Sequence, residues 1–229
     1  VELRLKEDLG SVRLRRVALD VGAEAETELR EGLVADELAQ AEGFSSEASR
    51  RRYVVARGAL RVFLGELLGE PPGSVRIEVG PGGKPRLAGA RRPGLHFNVS
   101  HSGDLALICI ADREVGIDLE AVRPIPSALA IARRRFAPAE ARFVEEGEAA
   151  DVDRRFLTCW TRKEALVKAV GTGLDVDLRG FIVPLAEVEG IVSIAGSNDR
   201  RTQSWQIVDV PVGDEHLAAV ALQVLGANH

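Results

Sequence analysis

Methionine is absent from this sequence, and the chain opens on Val1, so its start is expected to be trimmed or missing. Cysteine occurs only at Cys109 and Cys159, too little for a disulfide framework. Both cysteines sit in apolar patterns and read as small core residues rather than nucleophiles. No stretch is long and apolar enough to span a bilayer, and there is no signal peptide, which points to a cytoplasmic protein off the membrane. Positive charge is not in excess either. Thirty Lys and Arg against 35 Asp and Glu give a net charge of −5, which argues against a general nucleic-acid binder. A local basic pocket for a phosphorylated ligand remains compatible with that balance. Lysine itself is scarce. Among the 30 cationic residues only Lys6, Lys84, Lys163 and Lys168 are Lys, and Arg takes the other positions. Those four are candidates for places where a compact ammonium does what a planar guanidinium cannot.

What is present is ordinary for a globular chain. With 45% hydrophobic and 28% charged residues over 229 positions, it can bury one large core or two small ones. Residues 155–170 form the pattern around which the rest is arranged. At about 100° per residue, Phe156, Cys159, Trp160, Leu166, Val167 and Val170 share one face of a helix. Gly171 and Gly173 supply its stop. Lys163 falls near the middle of the apolar stripe, where a cation needs a partner or an escape route. Glu164 and Lys168 are spaced i,i+4. They are either a surface pair worth about 0.2–0.5 kcal/mol or part of a site.

Residues 1–20 alternate apolar and charged and end in a strand. Residues 24–42, acidic and rich in Ala, read as helical. Glu47 to Leu68 give a second strong helix, with Tyr53, Ala56, Leu60, Phe63, Leu64 and Leu67 at the 3.6-residue repeat. Its basic flank of Arg50, Arg51, Arg52, Arg57 and Arg61 is either a solvated face or an anion site. A short strand over Val75–Val79 precedes GPGGKPRL. Pro85 follows Lys84 where a Walker A loop needs Ser or Thr, so this is a stiff turn presenting Lys84 and Arg86.

Two strands follow, LHFNVSHSG and the continuous apolar run LALICIA at 105–111, typical of a buried strand. Ser100 and His101 are neighbours on a strand and point to opposite faces, so they do not form a nucleophile pair. In REVGIDLEAVRP, Asp118 and Glu120 are spaced i,i+2 and share one strand face. Two carboxylates that close are either a solvated strand end or a site for a hard divalent cation such as Mg²⁺. A helical run over 127–150 is broken at Pro138. FIVPL after Gly180 reads as a strand, and IVSIAG, SWQIVDV and HLAAVALQVL as antiparallel strands. ARGALRVFLG echoes TRKEALVKAV, VRIEV echoes GFIVPL, and LALICIA echoes LAAVALQ. The echo predicts two halves, 1–120 and 121–229, split near Glu120–Arg123 with a cleft between them.

Taken together, GKPRL, FNVSHSG, VGIDLE, WTRKEALVKAVGTGL and RRRYVVARGALR resemble, in order and spacing, the signature segments of the Sfp-type 4′-phosphopantetheinyl transferases. The resemblance covers roughly residues 40–185. It implies an α/β (α+β) fold of two similar halves about a pseudo-twofold axis, with the active site between them. It implies transfer of phosphopantetheine from coenzyme A to a Ser of an apo acyl or peptidyl carrier protein, with release of 3′,5′-ADP. By this resemblance Asp118, Glu120 and Glu164 hold Mg²⁺, Glu164 takes the Ser proton, and Lys168 offsets charge on the phosphates. Asp118 and His101 join Glu164 and Lys168 as catalytic candidates. Ser100, His101, Lys168, Lys84, Pro85 and Arg86 match coenzyme A contacts, and Arg50 and Arg57 match the 3′-phosphate region. The short trimeric carrier-protein synthases have about half this length, so a monomer is expected. The alternatives are an inactive coenzyme A-binding relative and a Mg²⁺-dependent nucleotide hydrolase.

Overall fold

The computed structural model describes residues 2–4, 11–89, 94–171, 177–195 and 202–225. Gly173, the second half of the expected helix stop, lies outside them. The order is β1 (Glu2–Arg4), β2 (Ser11–Ala18), α1 (Ala23–Glu31), α2 (Ala35–Glu42), α3 (Glu47–Leu68), β3 (Ile77–Val79), β4 (Pro85–Leu87), β5 (His96–Ser102), β6 (Leu105–Ala111) and β7 (Val115–Ala121). Then come α4 (Ala128–Arg135), α5 (Pro138–Glu145), α6 (Val152–Val170), β8 (Glu189–Ala195), β9 (Thr202–Asp209) and β10 (His216–Val224). Among the described residues the strands form two four-stranded sheets, β1-β2-β6-β5 and β7-β10-β9-β8, and a small β3-β4 ribbon. The α+β class is as expected.

Each sheet carries one long helix on its outer face. LALICIA is apolar throughout because both its faces are covered. Leu105, Leu107 and Cys109 pack toward Ile117, Leu119, Val220 and Leu222 of the second sheet. Ile108 and Ile110 pack under Ala59, Leu60, Phe63 and Leu64 of α3. In β10 the alternation is the same: Ala218, Val220 and Leu222 join the shared core, while Ala219 and Ala221 lie against Ala165, Leu166 and Ala169 of α6. The long helices are capped locally. Ser46 accepts the Ser49 N–H at the start of α3, and Gly69 and Gly171 close α3 and α6 at φ 69° and 75°.

A division at 120 leaves β7 with the first half, yet β7 pairs with β10 along Val115–Ala121. The change of sheet falls between Ala111 and Val115. The 24–42 helix is two helices, because Gly32 caps α1 and Glu37 turns back to accept the Val34 N–H. The 75–79 strand starts only at Ile77, since the Val75 carbonyl is taken by Arg61. FIVPL is not a strand. Its backbone groups are claimed by side chains: Lys163 Nζ donates to the Phe181 carbonyl at 2.8 Å as well as to the preceding Leu178 carbonyl at 2.6 Å, and the Val183 N–H donates to Glu140 at 2.9 Å. Pro184 offers no N–H to a ladder. Pro138 breaks the 127–150 run as expected, standing at the first turn of α5.

Candidate active site

The two halves meet where β5, the edge of one sheet, runs beside β7, the edge of the other. No backbone ladder joins them. Instead the β7 N–H groups of Ile117, Leu119 and Ala121 donate to Asn98 Oδ1 at 3.0 Å, Ser100 Oγ at 3.2 Å and Ser102 Oγ at 2.9 Å. The constant separation of 19 residues means that the strands run parallel.

Helix α6 crosses β7 at Gly116. A Cβ there would overlap the backbone of Ala165 and Ala169, so only glycine lets the helix sit this low. That approach brings Glu164 and Lys168, one residue before each of those alanines, over Asp118. Lys168 Nζ donates to Asp118 Oδ1 at 2.6 Å and to Ser100 Oγ at 3.0 Å. Ser100 Oγ also donates to Asp118 Oδ1 at 3.1 Å. Asp118 is only 5% exposed, and its Oδ2 has no hydrogen-bond partner. Glu120 Oε2 accepts from Ser102 Oγ at 3.4 Å and faces Arg123 at 3.6 Å.

The electrostatics of the three acids are alike. Burial raises the pKa of Asp118, against the opposing pull of Lys168 and Ser100. Burial and then the Asp118 charge raise Glu120. Burial and then Asp118 raise Glu164, with Glu120 adding to the effect. The Asp118 charge thus raises both of the other acids, and such a cluster is a place where a cation lowers the energy of the ionised carboxylates. Among the described residues no three His, Cys, Asp or Glu side chains converge on one point as placed, and Asp118 is turned to the Lys168 ammonium. The chemistry of the donor set nonetheless fits a hard divalent ion, because all three donors are carboxylates and Asp118 Oδ2 is buried without a partner.

A cleft of about 230 Å³ opens beside these groups, lined by Lys84, Pro85, Asn98 and Val99 from the first half and Glu164 and Lys168 from the second. Lys84 is already committed. Its Nζ donates to Glu114 at 2.5 Å and to the Ala169 carbonyl of α6 at 2.8 Å. Glu114 also faces His96 Nδ1 at 3.1 Å. Burial works against the Glu114 charge, yet His96 and Lys84 hold its pKa down at about 2. His101 lies on the face of β5 opposite Ser100, and burial followed by the charges of Lys168 and Arg52 lowers its pKa.

The other expected contacts are placed elsewhere. Arg57 is bonded to Glu37, a buried acid that also accepts from Arg61 and the Val34 N–H. Arg50 faces Glu42 and Glu47, and Arg86 pairs with Glu78 at 2.7 Å. None of these three lines the cleft. Arg52, from the same basic run, is the α3 cation whose charge reaches His101. Sequence reasoning also missed Glu114 and Glu140, neither of which stands in a recognisable pattern. Cys109 and Cys159 are buried free thiols, and burial pushes both up to about 12, as befits core residues.

Comparison with known proteins follows the same division. Residues 114–221 match the model of the 4′-phosphopantetheinyl transferase superfamily, and residues 27–113 match the 4′-phosphopantetheinyl transferase N-terminal model. The two meet between β6 and β7, where the sheet changes. The chain is 34% identical to the 4′-phosphopantetheinyl transferase HetI of Nostoc sp. strain PCC 7120, over 94% of this chain and 89% of that protein. It is 34% identical to 4′-phosphopantetheinyl transferase psf-1 of Bacillus pumilus, over 65% and 62%. It is 31% identical to the transferase Sfp of Bacillus subtilis strain 168, over 63% and 66%.

Proposed function

Because the chain belongs to the 4′-phosphopantetheinyl transferase superfamily, we propose that it moves the phosphopantetheine arm of coenzyme A onto a serine of an apo acyl or peptidyl carrier protein. The serine oxygen attacks the phosphorus that bears pantetheine. The bridging P–O bond breaks, 3′,5′-ADP leaves, and the hydroxyl proton passes to the protein. The observation that carries this reading is Lys168, bonded to Asp118, standing with Glu164 in a cleft that also takes Lys84, Pro85, Asn98 and Val99 from the first half.

Each residue then has a defined task. Asp118, Glu120 and Glu164 would hold Mg²⁺, which when bound supplies charge neutralisation at the pyrophosphate. Glu164, which lines the cleft, takes the serine proton directly or through water. Lys168 leaves part of its hold on Asp118 to meet charge developing on the phosphates. His101, with its pKa lowered, stays neutral near pH 7 and offers one N–H to a phosphate. Arg52 rather than Arg50 or Arg57 supplies the nearby α3 charge. Lys84 and Pro85 form the nucleotide-side wall. In this role Lys84 braces the loop through Glu114 and Ala169 and presents its stem to the cleft. A monomer would suffice for this activity, since both sides of the cleft come from one chain.

The test is incubation with coenzyme A and Mg²⁺, with and without an apo carrier. The products are followed by chromatography of nucleotides and intact mass of the carrier. Transfer requires 3′,5′-ADP only when carrier is present, with a matching gain in carrier mass. Nucleotide release without carrier would make the protein a hydrolase. Coenzyme A binding with neither product would make it an inactive relative.

A further inference from the structure

Two strand segments face each other residue by residue at the junction of the halves. Asn98, Ser100 and Ser102 of β5 stand opposite Gly116, Asp118 and Glu120 of β7. The hydroxyls reach the two carboxylates across a separation of 18 residues and the next backbone N–H across 19. An asparagine serves where β7 has a glycine and only an N–H must be met. Serine appears at the two rungs where β7 carries an acid. A hydroxyl is one atom that accepts and donates at once, so it can take the strand N–H and still give its proton to the carboxylate one residue earlier.

We infer that Ser100 and Ser102 are positioning residues, through which the first half sets the orientation of the Asp118 and Glu120 carboxylates in the second. The inference rests on the reading that these acids hold the divalent ion. Ser100 is fully engaged in this task. It donates once, to Asp118, and accepts twice, from Leu119 N–H and Lys168 Nζ, which exhausts a hydroxyl. It is also only 5% exposed, so the expected contact between its side chain and coenzyme A has no free capacity in this arrangement. Ser102 does the same work at the rim, donating to Glu120 and accepting from Ala121 N–H. The cleft is thereby indexed to the junction. Any slip between β5 and β7 turns both carboxylates together.

The measurement is Mn²⁺ binding, followed by electron paramagnetic resonance in the presence of coenzyme A and without carrier, beside the melting temperature of each variant. Partners of metal-holding groups typically contribute about 10–100-fold in metal affinity, so Ser100→Ala and Ser102→Ala should each weaken Mn²⁺ binding by a factor of that order. Ser102 is half-buried, and Ser102→Thr, which keeps the hydroxyl, should bind nearly as well as wild type. If Ser100→Ala does not fold, the pair at position 102 decides the matter. Wild-type Mn²⁺ affinity in both alanine variants, whatever their melting temperatures, overturns the inference provided that Asp118→Asn has lost the ion. Should Asp118→Asn also bind as wild type, the reading of the acids fails and the inference falls with it.

Discussion

Lys168 donates to Asp118 and Ser100, so the i,i+4 geometry it shares with Glu164 is not spent on a surface pair. The residue scale therefore separates two roles that the helix pattern alone leaves joined. Glu164 makes no hydrogen bond or ion pair among the described residues and carries a raised pKa. Glu164→Gln keeps its size and loses its charge. The turnover of carrier should fall by about 10²–10⁴ if a base is lost, with a further loss from the ion. Its melting temperature should stay close to wild type, since nothing in the fold leans on that carboxylate. Lys168→Ala should cost transfer on the order of a few kcal/mol in the barrier. Lys168→Arg should recover only part of it, because a planar fork cannot replace a compact ammonium between Asp118 and Ser100. Wild-type transfer by both Glu164→Gln and Lys168→Arg would remove the two residues from the chemistry. The scarcity of Lys flagged this position in the sequence. It did not flag Arg52, one of several arginines in a run, whose approach to His101 depends on how α3 lies across β5.

Helix α6 shows what a single element can and cannot announce. Its apolar stripe, its Gly171 stop and its two acid–base candidates are all legible, because they depend on spacing along one chain. The answer to Lys163 is not. That ammonium and Glu140 of α5 form a fully buried pair at 2.7 Å, with Phe181 under the charge at 4.1 Å. Glu140 stands 23 residues earlier in a different helix, and no local period links them. The same pair explains why FIVPL has a strand-like sequence without a ladder: Lys163 and Glu140 satisfy its backbone in place of a neighbouring strand. Removing one charge strands the other, so Lys163→Met should cost about 3–5 kcal/mol. Adding Glu140→Leu to Lys163→Met should cost much less than the sum of the two single changes, because the uncompensated charge goes with it. A urea-unfolding cycle reads this directly. Strict additivity would mean that the two groups do not depend on each other.

At the scale of the whole molecule, the strand orders β2-β6-β5 and β7-β10-β9 match, each with its long helix between the first strand and the last two. The internal echo pointed to this, and it supports a pseudo-twofold relation. Residues 47–111 should superpose on 156–222 with α3 on α6 and β6 on β10, while the β3-β4 ribbon finds no counterpart at 181–185. An experimental structure in which those helices cross their sheets differently would refute it. The division of the chain is harder to read, because VGIDLE closes the expected first half in sequence yet pairs with β10 near the other end of the chain. Besides the shared core, the Lys168–Ser100 bond and the β5–β7 rungs, Glu114 helps to clasp the units, holding Lys84 of the ribbon and His96 of β5, while Lys84 reaches the end of α6. Its carboxylate titrates at about 2 in the folded protein, below the ordinary value of 4.5. A depressed acid contributes stability that is complete above its unfolded pKa and is lost as pH falls through the folded one. The contribution should thus be constant above about pH 4.5 and decline toward pH 2. Because the Glu114 side chain is 40% exposed, solvent screening limits it to the order of 1 kcal/mol, or about 2–4 °C for a chain of this size. Glu114→Gln should melt that much below wild type at pH 7, and the two curves should converge as the pH is lowered from 4.5 toward 2. A gap that keeps its full size at pH 2 would assign the loss to packing rather than to the charge that joins the halves.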